Sequence, residues 1–583
     1  MKIKKNIKKY FEHLKKVKLV IVLPLVFIFV FVFGSVLRNI ILATGTPWVQ
    51  TDWSGGVGAS TTNQFSSSTN INYSTGGEVK LSKTAGSWLS DSWGMRKKIV
   101  FNNTTGNLGV TSEALTNYAV LVKLSVSNFD FSKAKTNGED IRFTDSDGTT
   151  SLAYEFEKYD STAQVALIWV KVPQIDINSS TDNIYMYYGN SGASDAQSPS
   201  SVWDSNYKIV YHMNQTSGFT ITDSTGQNNG TAVNSPTPTT SGKIGSAYDF
   251  PGPANPPQAS APAVTVASNA GLNTGSNFTM SAWVKADASN GYRFIMGKSN
   301  YWSNNDAGIH NYISKVELFA GSGCAGTSYV NISNGTWYHL EGTYDGVNRK
   351  LYVNGVLSAN ASCSGQAINN AYNFTVGGET VPAYGWDGII DEVRYSNTPR
   401  TAGWVAADYK NDVDSYSTYN TEENLYNTTS TLTSNIYDTL NGSDWGLLTY
   451  TAITPAGTGV SVKVRAGNQS NLSDATAFAS CSATSNNSDL SGGCSVDNKR
   501  YVQYELTLTG NGSVTPTFND ISIDFSPSDL VPPIANASSV TMYRTNGGTT
   551  VNSGAWTSVL SPKFTWATGT DETGIKGYCK TCK

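Results

Sequence analysis

Short runs that alternate polar and apolar residues dominate the sequence from Trp93 to about Asp195. They include KKIVFNN, YAVLVKL, DIRFTD, AYEFEKY, VALIWVKV and NIYMYYGN. Alternation with a period of two puts every second side chain on the same face, as in half-buried antiparallel strands. Turn pairs such as Asn137-Gly138 separate the runs. The pattern therefore predicts a β-sandwich module over residues 93–200.

The composition favours β-structure in the rest of the chain as well. Aromatic residues make up 11% of the 583 residues and charged residues only 14%, against about 25% charged residues in an ordinary soluble domain. Tyr, Trp, Thr and Val suit pleated surfaces, while Gly, Asn, Asp and Ser supply turns. With 40 basic and 44 acidic residues there is no overall basic excess, so no nucleic-acid partner is expected. The predicted fold class is all-β, with tandem β-sandwiches.

The N-terminus differs from this pattern. Residues 1–18 contain eight lysines, and residues 19–37 follow without a charge. A helix over that run would roughly match the membrane's hydrocarbon core of about 30 Å. Lysines before the span predict a cytoplasmic basic stub, a single transmembrane helix over 19–37 and an extracellular remainder. The alternative is a cleavable signal segment with Ala43 and Gly45 at its cleavage site, which would make the protein secreted.

Six cysteines in an exported chain predict disulfide bonds. Proximity in the sequence and the module boundaries favour Cys324–Cys363 and Cys481–Cys494, and free buried thiols are the alternative. Each bond would stabilise the fold by about 3–4 kcal/mol in the loop-entropy account.

Two stretches resemble known protein families. The string WGMRKKIVFNN … DNIYMYYGN, over nearly all of residues 93–195, resembles a bacterial surface-protein module known only as a domain of unknown function. Residues 208–410 resemble the laminin-G-like, concanavalin-A-like jelly roll through SAWVKA (281–286), WYHLEGTYDG … KLYVNG (337–355) and DGIIDEVRYSN (387–397). The resemblance implies that a lectin-like jelly roll follows the first sandwich.

The remaining stretches predict further β-modules. Residues 46–92, rich in Gly, Ser and Thr, predict a short β-region or a linker. Residues 420–527 predict another β-sandwich, whose layout resembles modules that recur in bacterial surface proteins. Residues 530–583 resemble part of an immunoglobulin-like module, which suggests a truncated chain. Its motif Cys579-Lys-Thr-Cys582 is interpreted as two strand or turn cysteines, because a zinc site would need a second pair.

The jelly-roll resemblance implies a calcium site. In that family an ion often bridges the first loop and the last strand, and the matching positions are Asp223 in DSTGQNNG and Asp391 in IIDEVR. Calcium takes about six to eight oxygen ligands, which carboxylates and turn carbonyls supply. The alternative is that Asp223 caps a turn and that Asp391 pairs with Arg394 or accepts backbone N–H groups. Glu392 alternates to the opposite strand face from Asp391 and is left out of the predicted site.

The segment 298–314 interrupts the strand pattern with aromatic, amide and acidic side chains. Aromatic rings can stack on sugars while Asn and Asp bind hydroxyl groups, so the segment predicts a glycan-binding loop. Its candidate ligand-binding residues are Tyr301, Trp302, Asn304 and Asp306. The alternative is a surface loop that Trp302 anchors on the sandwich.

Hydrolysis has to be weighed because the jelly-roll family has glycosidase relatives. Glu155 and Glu157 lie two residues apart on a predicted strand and could form a carboxylate pair. The charged run EFEKYD around them instead favours a solvated face, and the jelly roll has no ExDxE-like strand. No catalytic residue is predicted, and the protein is expected not to be an enzyme.

The predicted function is noncatalytic recognition at the cell surface. The jelly roll would bind carbohydrate or mediate adhesion, with an extracellular glycan or surface protein as partner and calcium as candidate cofactor. Fold resemblance alone does not decide function, so two alternatives stay open. One is a structural surface-layer or stalk protein without a small ligand. The other is the noncatalytic part of an extracellular glycan-degrading enzyme.

Overall fold

The computed structural model describes most of the chain after residue 45. The described residues are 46–73, 76–252, 261–300, 305–321, 329–379, 384–413, 415–490, 494 and 496–527, with the backbone of 540–543 and 563–566. The predicted stub and membrane helix at 1–18 and 19–37 lie outside them. Within the described part, no helix is long and apolar enough to cross a membrane.

Strands make up nearly all of the regular structure. The first eleven are β1 (Trp48–Gln50), β2 (Gly56–Val57), β3 (Gln64–Thr69), β4 (Ile71–Asn72), β5 (Val79–Leu81), β6 (Met95–Phe101), β7 (Leu115–Ser125), β8 (Arg142–Thr144), β9 (Tyr154–Asp160), β10 (Val165–Ile175) and β11 (Asn183–Tyr188). The next sixteen are β12 (Tyr207–Tyr211), β13 (Thr220–Ile221), β14 (Gly230–Val233), β15 (Thr237–Thr239), β16 (Ala247–Pro251), β17 (Ala263–Val266), β18 (Phe278–Ala286), β19 (Tyr292–Lys298), β20 (Ala307–Tyr312), β21 (Lys315–Ala320), β22 (Val330–Asn331), β23 (Trp337–Tyr344), β24 (Asn348–Val353), β25 (Val356–Ser362), β26 (Phe374–Val376) and β27 (Asp387–Ser396).

The last ten strands follow the jelly roll. They are β28 (Ser417–Asn424), β29 (Thr429–Ser434), β30 (Tyr437–Ile453), β31 (Gly459–Gly467), β32 (Ala483–Thr484), β33 (Ser488–Asp489), β34 (Lys499–Thr509), β35 (Thr517–Pro527), β36 (Val540–Tyr543) and β37 (Lys563–Trp566). The described α-helices are α1 (Thr105–Leu108), α2 (Pro199–Val202) and α3 (Ala402–Asp412).

The chain divides into two compact units, and one of them is discontinuous. It consists of residues 1–83 together with 426–583, while residues 84–425 form the other unit. In the discontinuous unit, β3 pairs with β29, and both β1 and β5 pair with β35. The early Trp53 and Phe65 lie in one core with the late Trp445 and Phe518.

The linear module order expected from the sequence therefore needs correction. The strands of the 46–92 region complete the module predicted at 420–527, and residues 84–425 are inserted between the two parts. This unit contains the predicted disulfide Cys481–Cys494. Of residues 530–583, the structure describes β36 and β37, which pair antiparallel, and not Cys579 or Cys582.

The first sandwich of the 84–425 unit has two sheets. Their strand orders are β28-β6-β11-β8 and β7-β10-β9, and residues such as Ile99, Val120 and Ile168 form their common core. The strand β28 follows the jelly roll in sequence but pairs antiparallel with β6. The jelly roll is therefore inserted into the first sandwich, which the expected boundary at residue 200 did not anticipate.

The jelly roll itself has two eight-stranded sheets. One, called here the seam sheet, runs β15-β16-β27-β18-β23-β24-β25 with β12 beside β27. The other, called the groove sheet, runs β13-β14-β17-β26-β19-β20-β21-β22. Their common core includes Met280, Ile295, Phe374 and Trp386. In this unit Cys363 is disulfide-bonded, and its predicted partner Cys324 lies outside the described residues.

The seam sheet packs against the first sandwich. A buried apolar cluster combines residues of both modules, namely Ala119, Leu121, Leu167, Trp169, Val202, Trp203, Tyr207, Val210 and Ile244. Helix α3 covers the neighbouring edge of β7, where Asn411 accepts a hydrogen bond from the backbone N–H of Leu121 at 2.9 Å and donates one to the carbonyl oxygen of Ala119 at 3.2 Å. These bonds satisfy an edge strand that would otherwise be open for pairing.

Candidate functional site

A row of small residues crosses five strands of the groove sheet. The paired residues in this row are Thr231, Thr265, Thr375, Gly297 and Gly308, in that order. Directly paired residues point to the same face of a sheet. That face is the outer one, because the neighbours of Thr375 along β26 lie in the jelly-roll core. The short side chains of the three threonines therefore leave a depression over β14, β17 and β26, while the ring of Phe319 lies against Gly308 at the other end of the row.

The two glycines in the row are required by close approaches. A Cβ atom at Gly297 would lie 2.4 Å from the carbonyl oxygen of Ala307. A Cβ atom at Gly308 would lie 2.7 Å from the carbonyl oxygen of Met296 and 2.8 Å from the ring of Phe319. A side chain at either position would push the strands apart or fill the depression.

Two residues of the row, Thr265 and Thr375, line a cavity of about 320 Å³. Its polar lining consists of Thr265, Ser299, Tyr372, Asn373, Thr375 and Glu379, and the remaining lining residues are small or aliphatic. The hydroxyl group of Thr375 is buried and has no hydrogen-bond partner in the described part of the chain. Hydroxyl, amide and carboxylate groups beside one aromatic ring suit a ligand rich in hydroxyl groups. We call this cavity and the row beside it the groove.

Lys298 holds one wall of the groove in place. Its side chain is fully buried, and its ammonium group donates hydrogen bonds to Ser268 Oγ at 2.9 Å and to Asn370 Oδ1 at 2.8 Å. These bonds tie the end of β19 to the loop that carries Tyr372 and Asn373. Burial lowers the pKa of Lys298 to about 8.

The loop predicted to bind glycans begins at the groove. Of its four candidate residues the structure describes Asp306 and leaves out Tyr301, Trp302 and Asn304. Asp306 is buried, and its Oδ2 accepts hydrogen bonds from the hydroxyl group of Ser299 at 3.2 Å and the backbone N–H of Asn300 at 3.0 Å. Asp306 therefore positions Ser299, which lines the groove, and its part in glycan binding stays a prediction.

The predicted calcium ligands both accept backbone hydrogen bonds. Asp223 accepts the N–H groups of Val210 at 2.9 Å and Asn228 at 2.8 Å. Asp391 accepts the N–H groups of Lys243 at 2.8 Å and Ile244 at 2.9 Å. These are the contacts of turn-capping carboxylates, and no hydrogen bond among the described residues joins the two. A calcium ion at these oxygens would have to replace N–H donors, and calcium binding stays a prediction.

Sequence reasoning missed a second site, at the seam between the two modules. It consists of Glu155, Glu157, His212, Glu392 and Arg394, all buried, and is called here the seam cluster. His212 Nδ1 lies 2.8 Å from Glu392 Oε1 and 3.7 Å from Glu157 Oε2, while Nε2 lies 3.4 Å from Glu155 Oε1. Arg394 donates a hydrogen bond to Glu392 Oε2 at 2.9 Å.

The expectation that Glu155 and Glu157 face solvent is wrong. They are 4% and 7% exposed, because the jelly roll covers the face of β9 from which both project. The indole N–H of Trp203 donates to Glu155 at 2.6 Å, and that of Trp169 donates to Glu157 at 2.9 Å. A signal was present in the sequence, since two tryptophans in nearby apolar runs need hydrogen-bond acceptors when buried.

The premise that Glu392 alternates to the opposite face from Asp391 is wrong, because β27 contains a bulge. The pairing of β27 with β18 shifts register between Ser281 and Trp283, and Glu392 has a φ of +47°. A bulge inserts one extra residue and breaks the alternation of faces. Asp391 and Glu392 are consequently both buried, at 0% and 2% exposure.

The environment of the seam cluster shifts the pKa values of its members. Burial raises the pKa of Glu157 to about 8, and the carboxylate of Glu392 adds to the effect. Burial alone would lower the pKa of His212, but the carboxylates of Glu392 and Glu155 raise it well above its usual value. Burial would raise the pKa of Glu392, but His212 and Arg394 lower it. Without another cation, His212 and Glu392 form an ion pair beside a protonated Glu157.

Comparison with known families identifies both modules of the 84–425 unit. Residues 137–228 match a domain of unknown function (DUF2341), and residues 258–406 match the concanavalin A-like lectin/glucanases superfamily. The two resemblances and their order are thereby confirmed. No curated protein matches the chain.

Several solved structures are similar to part of the chain. Domain 4 of AbnA, an extracellular GH43 arabinanase from Geobacillus stearothermophilus in complex with arabinotriose, is 20% identical over 35% of this chain and 98% of its own, with a TM-score of 0.27. The heptameric SAP-like pentraxin from Limulus polyphemus is 17% identical over 28% of this chain and 80% of its own, with a TM-score of 0.22. Trypanosoma rangeli sialidase in complex with sialic acid is 12% identical over 53% of this chain and 55% of its own, with a TM-score of 0.28.

Proposed function

We propose that this protein is a noncatalytic carbohydrate-binding protein of the cell surface and that it binds glycans in the groove. The row of threonine and glycine residues across five strands carries the proposal. Ligand sites combine a concave, largely apolar surface with a few placed polar groups. The groove has this composition, with small aliphatic residues among the hydroxyl, amide and carboxylate groups.

The dimensions of the row favour an oligosaccharide over a single sugar. Neighbouring strands lie about 4.8 Å apart, so a row over five strands is about 19 Å long. Three threonine residues are followed by two glycines along the row, and these short side chains leave room for a sugar ring lying flat on the sheet. Polar groups that line the groove, such as those of Ser299, Asn373 and Glu379, supply donors and acceptors for ligand hydroxyl groups.

A glycan array probed with the full chain tests this function. We expect binding to at least one class of oligosaccharide and a loss of at least tenfold in affinity in Thr375→Trp, because the indole ring fills the groove. Thr116→Trp is the matched control, since Thr116 is an exposed strand residue of the first sandwich, and it should bind as the wild type does. A blank array, or equal binding by Thr375→Trp, would reject the proposal and favour a structural stalk.

Calcium at Asp223 and Asp391 is a separate proposal that rests on the jelly-roll resemblance. An ion there would hold the turn after β13 against the seam sheet, so removing it should lower the melting temperature. The measurement is thermal unfolding of the full chain in EDTA and in excess calcium, with Asp223→Asn alongside. Equal melting temperatures in both buffers would eliminate the calcium site and leave the groove proposal intact.

The location at the membrane is likewise proposed from the apolar run at 19–37. Fractionation of expressing cells should place the full chain with the membranes and leave its β-modules accessible to added protease. A chain that lacks residues 1–37 should move to the soluble fraction. Recovery of the full chain without its N-terminus in the medium would show instead that the segment is cleaved.

A further inference from the structure

The seam cluster has the geometry of a metal site. Glu157, His212 and Glu392 each offer one ligand atom, and these atoms all lie within 4.8 Å of one another. They come from three elements of two modules, since Glu157 lies in β9 of the first sandwich, Glu392 in β27 of the jelly roll, and His212 directly after β12. A small contraction would bring the three atoms around one ion.

One buried atom of the cluster, Glu157 Oε1, lacks a hydrogen-bond partner in the described structure, and the side chain that carries it is 0% exposed. The nearest acceptor to His212 Nε2 is Glu155 Oε1, at 3.4 Å. A buried polar atom without a partner costs free energy, and the cost is greater for a charged group. The protein hydrogen bonds therefore leave one carboxylate oxygen of the cluster without a donor.

The acidic groups of the cluster outnumber its basic groups. Three carboxyl groups, those of Glu155, Glu157 and Glu392, lie around the imidazole of His212 and the guanidinium group of Arg394. Without a metal ion, the cluster balances only if both His212 and Glu157 keep a proton. Asp412 adds a further carboxylate, whose Oδ1 lies 3.5 Å from the Arg394 nitrogen that also contacts Glu392. Indole rings close the site, because Trp169 and Trp203 lie 5.7 and 5.9 Å from the imidazole ring. In a dry site, an excess of negative charge has to be neutralised by protons or by a cation.

The neighbours of the three ligand groups already hold them in orientation. Glu155 lies opposite His212 Nε2 and could accept its proton, as a carboxylate commonly does behind a metal-bound imidazole. Glu155 is itself fixed by hydrogen bonds from Trp203 at 2.6 Å and Ser224 at 2.7 Å. Arg394 orients Glu392 in the same way, and Trp169 orients Glu157.

From these observations we propose that the seam cluster binds one divalent transition-metal ion through His212 Nδ1 and the carboxylates of Glu157 and Glu392. One imidazole nitrogen with carboxylate oxygens is a ligand set for zinc or its neighbours, whereas calcium takes oxygen ligands only. The ion neutralises the excess carboxylate charge and joins β9 of the first sandwich to β27 of the jelly roll. This site is independent of the groove and of the predicted calcium ligands.

The test is metal binding by the purified full chain, stripped with chelator and then titrated with Zn²⁺ and Co²⁺. We expect about one ion per chain by elemental analysis, a visible Co²⁺ absorption band and a rise in melting temperature with Zn²⁺. Glu157→Gln keeps the size of the side chain and should weaken Zn²⁺ binding at least tenfold, with an unchanged far-ultraviolet circular dichroism spectrum. Glu505→Gln, the same substitution at a partly exposed position of β34 in the discontinuous unit, is the control and should bind Zn²⁺ as the wild type does.

Other outcomes would overturn the proposal. If the wild-type chain binds no Zn²⁺ and its melting temperature does not change when Zn²⁺ is added, protons alone neutralise the cluster. Equal affinity in Glu157→Gln and wild type would place any bound ion elsewhere. If Glu157→Gln does not fold, the Co²⁺ spectrum of the wild type tests the site instead. A Co²⁺ spectrum that lacks absorption from nitrogen and oxygen ligands would contradict the site.

Discussion

The groove and the seam cluster lie on opposite sheets of the same jelly roll and use opposite chemistry. The groove is open to solvent and is lined mainly by hydroxyl, amide and small aliphatic groups. The seam cluster places five ionisable side chains in a region closed off from water by indole rings. In this unit, strong electrostatic interactions join the two modules at the seam sheet. The groove sheet instead presents a concave surface with mostly uncharged hydrogen-bonding groups to solvent. The predictions below perturb one region and ask whether the other responds.

The largest effect is expected from Arg394→Met. The substitution leaves the carboxylates of Glu392 and Asp412 buried without their cation, and breaking a buried ion pair on one side costs about 3–5 kcal/mol. Urea unfolding of the full chain measures the loss. Arg500→Met is the matched control, because Arg500 pairs with Asp438 at a partly exposed position, where an ion pair contributes about 0–1 kcal/mol. Equal losses would show that the seam cluster does not stabilise the unit.

A somewhat smaller effect is expected in the discontinuous unit, on removal of the Cys481–Cys494 disulfide. The bond closes a loop with a sequence separation of 13, for which the loop-entropy account gives about 3 kcal/mol. The double substitution to serine should lower the stability of the unit that contains residues 426–583 and leave glycan affinity unchanged. A loss of glycan binding in folded protein would contradict the assignment of the ligand site to the jelly roll.

Within the groove, Tyr372→Ala is expected to weaken glycan binding about tenfold, which corresponds to about 1.4 kcal/mol. Tyr372 supplies the aromatic surface among the lining residues. Tyr312→Ala is the control, since Tyr312 is an exposed residue of β20 on the same sheet and does not line the cavity. Calorimetric titration with the best oligosaccharide of the array gives both affinities. If Tyr312→Ala weakened binding more than Tyr372→Ala, the ligand would have to lie away from Tyr372.

The smallest expected effect concerns Lys298 and pH. Its pKa is about 8 in the folded protein, below the ordinary value of 10.5, so the unfolded chain binds more protons between these values. Stability from this group should therefore rise as pH increases from about 8 to about 10.5. The difference in melting temperature between wild type and Lys298→Met, followed across that range, measures it. An identical pH slope in both proteins would mean that Lys298 keeps its ordinary pKa.

The local fold could be predicted because alternation of residue types reports which side chains share a strand face. The period-two runs gave the strands of the first sandwich, and three motifs gave the jelly roll. Alternation does not report what covers a strand face. The charged run around Glu155 and Glu157 therefore predicted a face exposed to solvent, whereas the jelly roll covers that face in the structure. Alternation also fails at a bulge, and for that reason Glu392 was assigned to the wrong face.

The nested order of the modules could not be predicted for a related reason. The strand β28 reads as part of a following module, yet it pairs with β6, more than 300 residues earlier. The strands β1 and β5 likewise find their partner in β35. Pairing over such separations depends on the complete fold, and a single sequence carries no local signal for it. The residues of the groove row are similarly scattered, and only strand register brings them together.

The central claim is that glycans bind across the groove sheet. The most direct measurement is a crystal structure of the protein with an oligosaccharide selected from the array. The account predicts density for sugar rings in the groove, over Thr265 and Thr375 and beside Tyr372. Density on the seam sheet or in the discontinuous unit, with the groove empty, would contradict it.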